Sequence, residues 1–298
     1  MSRSLRRGAG VLLVLALVTS VAALGCREGP DKLVLGLVAP AGSSADHQSL
    51  GETLCRALSR PLEIKVEAYA FPTMGDLVKA LNAGQVDAAV LNPYAYVAAH
   101  DTSGARVVFK SVNRGRAATK AQIVALAEGG PHSLAELKGR VVAFSDPASP
   151  LGYLFPAALL VRSGVFTVQE LSRAVFLGDA ETAVRAVLNG TAAAAACPEG
   201  TLTLLRAEVP DIETRLVVLA ETDPVPGTTV AVRAGLDPTL VDRLRLAFLS
   251  ALSGGDSLAA WKVLTGTDGV VEAQDPEYDV IRDMVKTLRL DIAALATS

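Results

Sequence analysis

The 298-residue sequence lacks the signatures on which the common catalytic classes depend. It contains no Gly-x-Ser-x-Gly elbow, no His-Glu-x-x-His pair, no phosphate-binding Gly-Lys loop and no Cys-x-x-Cys; these arrangements exist to hold a nucleophile, a metal or a phosphate in place. The best nucleophile candidates, Ser149 and Cys197, have no base recognisable in the sequence, so the chain reads as not an enzyme, with no cofactor expected. Its three histidines, His47, His100 and His132, are dispersed without ligand spacing, which argues against a metal site. The formal charge of −3 is scattered in mixed sign. With no basic stripe to meet a phosphate backbone, a nucleic-acid partner is excluded. Beyond the N-terminal segment, no stretch is long and apolar enough to span a bilayer.

Met1 to Cys26 reads as an export signal rather than as part of the fold. Arg3, Arg6 and Arg7 form a basic start, and Val11 to Leu24 is an apolar run ending in small residues. Its ending, Ala23-Leu24-Gly25-Cys26, resembles the lipobox of bacterial lipoproteins, in which the cysteine is lipidated and becomes the mature N-terminus. The expectation is an exported, periplasmic or cell-surface protein held on a membrane by lipid at Cys26. Half of the residues are hydrophobic, enough for one large core or two ordinary ones.

From Lys32 the pattern alternates strand and helix. Strands are expected over Leu33 to Ala39, Leu62 to Tyr69, Asp87 to Leu91 and Arg106 to Val112, with helices over Ser44 to Leu58, Thr73 to Asn82 and Pro93 to His100. Such alternation predicts an α/β protein with parallel sheet and helices on its faces. One echo carries meaning: Ala80 to Ala89 and Ala186 to Ala195 repeat the same helix, Asn/Gly stop and strand. Two similar units joined by crossings near 112–119 and 222–228 predict two lobes with a cleft between them. Lobe one is expected from residues 31–115 plus 226–298, and lobe two from 116–225. Cys55 and Cys197 then fall in different lobes, where a bridge would freeze a hinge, so two separate buried thiols are expected.

The stretch from Gly139 to Gly164 is the centre of the reading. Val141 to Ser145 is a short strand, Asp146-Pro147-Ala148-Ser149 a polar turn, and Leu151 to Val161 an apolar helix. A strand, a tight loop and a helix N-terminus leave backbone N–H groups pointing into a cleft, where Ser149 could help hold a polar ligand. Asp179 and Glu181 open another predicted helix and suit either capping or ligand contact.

At this point the chain resembles the substrate-binding lipoproteins of phosphate, phosphite and phosphonate uptake, from Leu33 to about Leu290. The resemblance is carried by Gly84-Gln85-Val86-Asp87 with Tyr96-Val97; Leu137 to Phe144; Asp146 to Pro156; Phe176 to Glu181; and Tyr278 to Arg282. It implies a bilobed type II periplasmic-binding-protein fold, a monomer that closes on a small-molecule ligand and presents it to a membrane partner. That partner is usually an ABC permease; the ectodomain of a sensor kinase, or a lipid- or sterol-transport role, is the alternative. The ligand positions depart from the family pattern. Where the family's loop usually reads Ser-Thr-Ser, this chain has Ser149, Pro150 and Leu151 followed by Gly152; where it has a histidine, Ala180 stands before Glu181. Ala193 stands where the second-lobe strand usually has an acid, and Met74 lies near a usual tyrosine. With Leu91, these residues predict a larger, more apolar cleft than an oxyanion requires, in which Ser149, Glu181, Tyr94 and Tyr96 are what remains polar.

Overall fold

The computed structural model describes residues 31–39 and 44–297. Cys26 and the expected leader lie outside them. Strands of lobe one and the first crossing are β1 (Lys32–Val38), β2 (Lys65–Phe71), β3 (Ala88–Leu91), β4 (Arg106–Val112) and β5 (Ala118–Thr119). The chain continues through β6 (Ala121–Leu126), β7 (Val142–Phe144), β8 (Val175–Phe176), β9 (Ala194–Pro198) and β10 (Leu216–Glu221). It returns by β11 (Val225–Pro226) to β12 (Thr229–Val232) and β13 (Gly269–Glu272).

Two sheets result. One has the order β13-β4-β12-β3-β1-β2, the other β10-β6-β9-β7-β8, and β5 and β11 pair with each other between them. The chain therefore crosses between sheets twice, and the crossings are laced together by Val225 opposite Thr119 and Pro226 opposite Ala118. The sheets are mixed, not parallel as the alternation predicted. β1 runs parallel to β2 and β3, and β7 to β8 and β9. β12, however, is antiparallel to β3 and β4, and β6 to β9 and β10. The reason is topological: β6 and β12 enter their sheets straight from a crossing, at the end where the earlier strands leave.

Period-two burial divides each sheet between two cores. Leu33, Leu35 and Leu37 of β1, with Ala88, Val90, Val230 and Val232, face the helices at Ser44–Leu62 and Pro238–Ala251. Ala89, Leu91 and Ala231 face the opposite side, against the helices at Met74–Asn82, Pro93–Ser103 and Asp279–Leu288. In the second sheet Val124, Ala143, Ala195 and Cys197 pack on the helix at Ala180–Leu188, while Ile123, Val142, Phe144 and Ala196 pack on Leu160. One of these cores does not stop at the lobe boundary. The helix at Phe155–Arg162, from the second lobe, packs on the helix at Asp279–Leu288 from the first, so Phe155, Ala157 and Ala158 share a core with Ile281, Met284 and Leu288.

The repeated sequence segments are built alike. Gly84 and Gly190 both take left-handed φ, 71° and 77°, and donate to Leu81 and Val187; Gln85 and Thr191 then donate back to Ala80 and Ala186. Each is a glycine-terminated helix stop that throws the chain into the next strand. Two boundaries differ from expectation. The first helix runs on to Leu62, with Pro61 in its last turn and Arg243 donating to the Leu62 carbonyl, so β2 begins only at Lys65. The expected helix from Leu151 begins instead as a π turn at Pro150–Leu154. Pro156 has no N–H to give to the Gly152 carbonyl, which accepts from Ser145 instead, and the first turn widens.

Candidate functional site

The turn after β7 is closed by its own hydrogen bonds. Asp146 Oδ1 accepts from the Ala148 N–H at 2.8 Å, and the Asp146 carbonyl accepts from Ser149 at 3.0 Å. Ser149 caps the π turn, its Oγ accepting from the Gly152 N–H at 3.0 Å. Pro150 has no N–H. The Leu151 N–H is thus left as the one backbone donor between Ala148 and Leu154 without an acceptor among the described residues. Gly152 is required for closeness rather than for its φ: a Cβ there would sit 1.8 Å from Ser145 Oγ and 2.7 Å from Ser149 Oγ.

Across the gap, lobe one presents a matching start. Asn92 caps the helix at Pro93–Ser103 by accepting from Ala95, and Pro93 again removes the first N–H. Between these two helix starts lies a cavity of about 360 Å³. Pro93, Tyr94 and Ile281 line it from lobe one, Ser149, Pro150, Leu151 and Pro198 from lobe two, and Thr119, Val225 and Pro226 from the crossings. Tyr94 is 7% exposed, and its hydroxyl is buried without a hydrogen-bond partner among the described residues. Burial pushes its pKa well above the ordinary phenol value.

The structure separates the other expected site residues. Ala180 and Glu181 line a larger, charged opening of about 850 Å³ that shares Thr119 and Pro198 with the cavity. There Arg116 pairs with Glu199 at 2.5 Å, while Arg185 pairs with Glu208 at 2.6 Å. Asp179 is a helix cap: its carboxylate accepts from the Thr182 N–H and hydroxyl, which hold its pKa below the usual range. Met74 and Leu91 line a smaller cavity of about 160 Å³ with Asn92 and Thr228, one residue along the chain from Pro93 and Gly227 of the main cavity. Gly152 is buried beneath the turn and is not among the cavity-lining residues.

Two expectations are corrected. Tyr96 does not face the cleft: it is fully buried, donates from its hydroxyl to Asp275 at 2.7 Å and meets Tyr278 edge-on at 4.5 Å between ring centres. It lies two residues after Tyr94 on a helix, and so on a different face. Ala193 precedes β9 and bonds to the Val141 carbonyl, whereas Pro198, at the other end of that strand, lines the cavity. Cys197 is a free, buried thiol whose pKa burial pushes up to about 12, which leaves it unsuited to nucleophilic work. No cluster of three or more His, Cys, Asp or Glu residues among the described residues could hold a metal. Sequence reasoning missed Thr119, Pro198, Val225 and Ile281; the only signal for them was that ligands gather at strand C-termini and crossings.

A bilobed α/β fold with two crossings and a cavity between the lobes defines a periplasmic solute-binding architecture. Residues 37–278 match the family described as ABC transporter, phosphonate, periplasmic substrate-binding protein, and the chain belongs to that family. It is 25% identical over 280 residues to the phosphate-import protein PhnD of Mycolicibacterium smegmatis, covering 85% of this chain and 84% of the relative. Among solved structures it is similar to XAC2383 from Xanthomonas citri bound to ATP, with TM-score 0.58 and 20% identity over 87% of this chain and 98% of that one. PhnD1 from Prochlorococcus marinus in complex with methylphosphonate gives TM-score 0.50 and 15% identity over 88% and 99%. No helix among the described residues is long and apolar enough to cross a membrane.

Proposed function

We propose that this protein is an exported solute receptor, held on a membrane by lipid at Cys26, that closes on a small molecule and delivers it to an ABC permease. Lobe one comprises residues 31–115 and 226–298, lobe two residues 116–225, and the paired strands β5 and β11 are the pivot. Ligand contacts made from both lobes exist only when the cleft is shut, so binding shifts the population toward the closed form. The observation that carries this reading is the cavity itself, walled by both lobes and floored by both crossings.

The cleft is proposed to have moved away from simple phosphonates. A buried dianion needs several charge-assisted hydrogen bonds. Here the turn after β7 keeps one free N–H and one hydroxyl, and prolines occupy the first position of both facing helices. Each missing contact to a charged ligand is worth about 1.5–3 kcal/mol, so three or four together weaken binding by several orders of magnitude. The fold leaves the ligand open, since similar structures hold ATP in one case and methylphosphonate in another.

Calorimetry with phosphate, phosphite, methylphosphonate and aminoethylphosphonate tests the cleft. Binding no tighter than millimolar is expected; micromolar binding of any of them refutes the divergence. Cys26→Ala tests the anchor, and should release the mature chain from the membrane fraction.

A further inference from the structure

Very little chain separates Cys26 from the fold. Only Arg27, Glu28, Gly29 and Pro30 lie between it and Asp31, a stretch that reaches at most about 18 Å even fully extended. β1 opens at Lys32, so this leash decides which end of the molecule stays beside the lipid. It is the end of lobe one farthest from the cleft. β1 runs parallel to β2 and β3 and ends at Val38, which lines the small cavity with Leu91 and Asn92. At about 3.3 Å per residue, the strand sets Lys32 about 20 Å behind the cleft. In lobe two, β9 runs to Pro198 in the cavity wall, and β7, parallel to it, leads to the turn at Ser149. Arg140 and Val141, which precede β7, therefore mark the opposite extremity, and both are exposed.

The lobe-one end is polar and of mixed sign. Lys32 and Lys65 open their strands as register partners and share Glu67, at 2.9 and 2.7 Å. Arg60 stands in the last turn of the helix before β2, Arg106 opens β4, and Arg233 pairs with Asp87 at 2.8 Å. Asp31 and Glu63 are exposed there as well. Charges so nearly balanced give no strong attraction to an anionic membrane. None of the large exposed apolar side chains among the described residues falls at these strand starts, so that end has nothing to insert into a bilayer. Resting on the lipid-anchored reading above, we infer that the outer end of lobe one is the surface that faces the bilayer, held against the headgroups by the leash at Cys26 rather than by charge or insertion. Lobe one is then the fixed lobe. Closure swings lobe two about the paired crossings over a stationary half, and a permease must meet the receptor within the reach of that leash.

The test is energy transfer from a dye on the protein to acceptor-labelled lipid in phosphatidylcholine vesicles carrying the protein purified from the membrane fraction. Lys65→Cys puts the dye at the outer end of lobe one and Arg140→Cys at the outer end of lobe two; both sites are exposed, and Cys55 and Cys197 are buried away from the label. With a leash this short, transfer from position 65 should exceed that from position 140 roughly twofold or more. A flexible insert of about 20 Gly and Ser residues after Pro30 adds a mean reach of about 25 Å and should erase most of the difference. Replacing half of the lipid by phosphatidylglycerol should change neither value. Equal transfer from the two positions, or stronger transfer from position 140, overturns the inference while the protein still sediments with the vesicles, which leaves the anchor reading standing. A preference for position 65 that survives the insert undiminished, or that appears only with phosphatidylglycerol, overturns it too, because the surface and not the leash would then hold the lipid. If the chain does not sediment with the vesicles at all, the anchor reading falls and the inference with it.

Discussion

Replacing Gly152 by alanine places a methyl group where the turn after β7 has no room for it. The added Cβ would stand 1.8 Å from Ser145 Oγ, 2.7 Å from Ser149 Oγ and 3.0 Å from Ser145 Cβ. Ser145 has little freedom to retreat: it is 6% exposed, its N–H donates to the Gly152 carbonyl and its own carbonyl accepts from Gly178 at 2.8 Å. The hydroxyl can turn, but the Cβ contact remains. Overpacking of this kind costs about 1–3 kcal/mol, or roughly 3–10 °C in melting temperature for a domain of this size. Thermal melts of the wild type, Gly152→Ala, Ser145→Ala and the double variant measure it. Ser145→Ala removes the worst contact, so the double variant should regain much of what Gly152→Ala alone loses. The turn geometry is refuted if Gly152→Ala melts like the wild type, or if the two losses simply add.

Two further outcomes follow from buried polar groups and thiols. Burial opposes ionisation of Asp275, but Arg282 and the Tyr96 hydroxyl outweigh it and hold the pKa below the usual carboxylate value. A depressed carboxylate pKa contributes stability that is full above about pH 4, the unfolded value, and is lost as pH falls through the folded value. Asp275→Asn should therefore be less stable than the wild type at pH 7 in denaturant titrations, with the gap narrowing steadily below about pH 4; a constant gap would count against the pairing. Cys55 and Cys197 are buried, with pKa values pushed up to about 12. In a Cys26→Ala background neither should react with an aromatic disulfide reagent until the protein unfolds, and native labelling of either would contradict the packing.

The architecture was legible because its signals are local. The Asn/Gly stops at 82–84 and 189–190 are read directly from residue type, and they end the two helices in the same way. Strand direction was not legible, since β6 and β12 look like any apolar strand and owe their reversal to the crossings. The site was half legible. Ser149, Pro150, Leu151 and Tyr94 stand on helix starts that sequence marks with a cap and a proline, and they meet in one cavity. Tyr96 was misplaced because its partner, Asp275, lies 179 residues away. Ile281 and Pro198 reach the cavity only through tertiary packing, which no short-range pattern encodes. The π turn at Pro150 likewise depends on Pro156 and Ser145 together.

The core shared by Phe155, Ala157, Ala158, Ile281, Met284 and Leu288 bears on whether the lobes can be taken apart. Residues 116–225 expressed alone would expose the Phe155, Ala157 and Ala158 face of their helix, and in the rest of the chain the helix at Asp279–Leu288 would keep its packing on the helix at Pro93–Ser103 but lose its cover on the other side. Each fragment is expected to be less stable alone than within the whole chain, although each has a complete sheet. Cooperativity in this protein therefore extends across the cleft: melting is expected as a single transition. A mutation deep in one lobe's half of that core should be felt as lost order in the other.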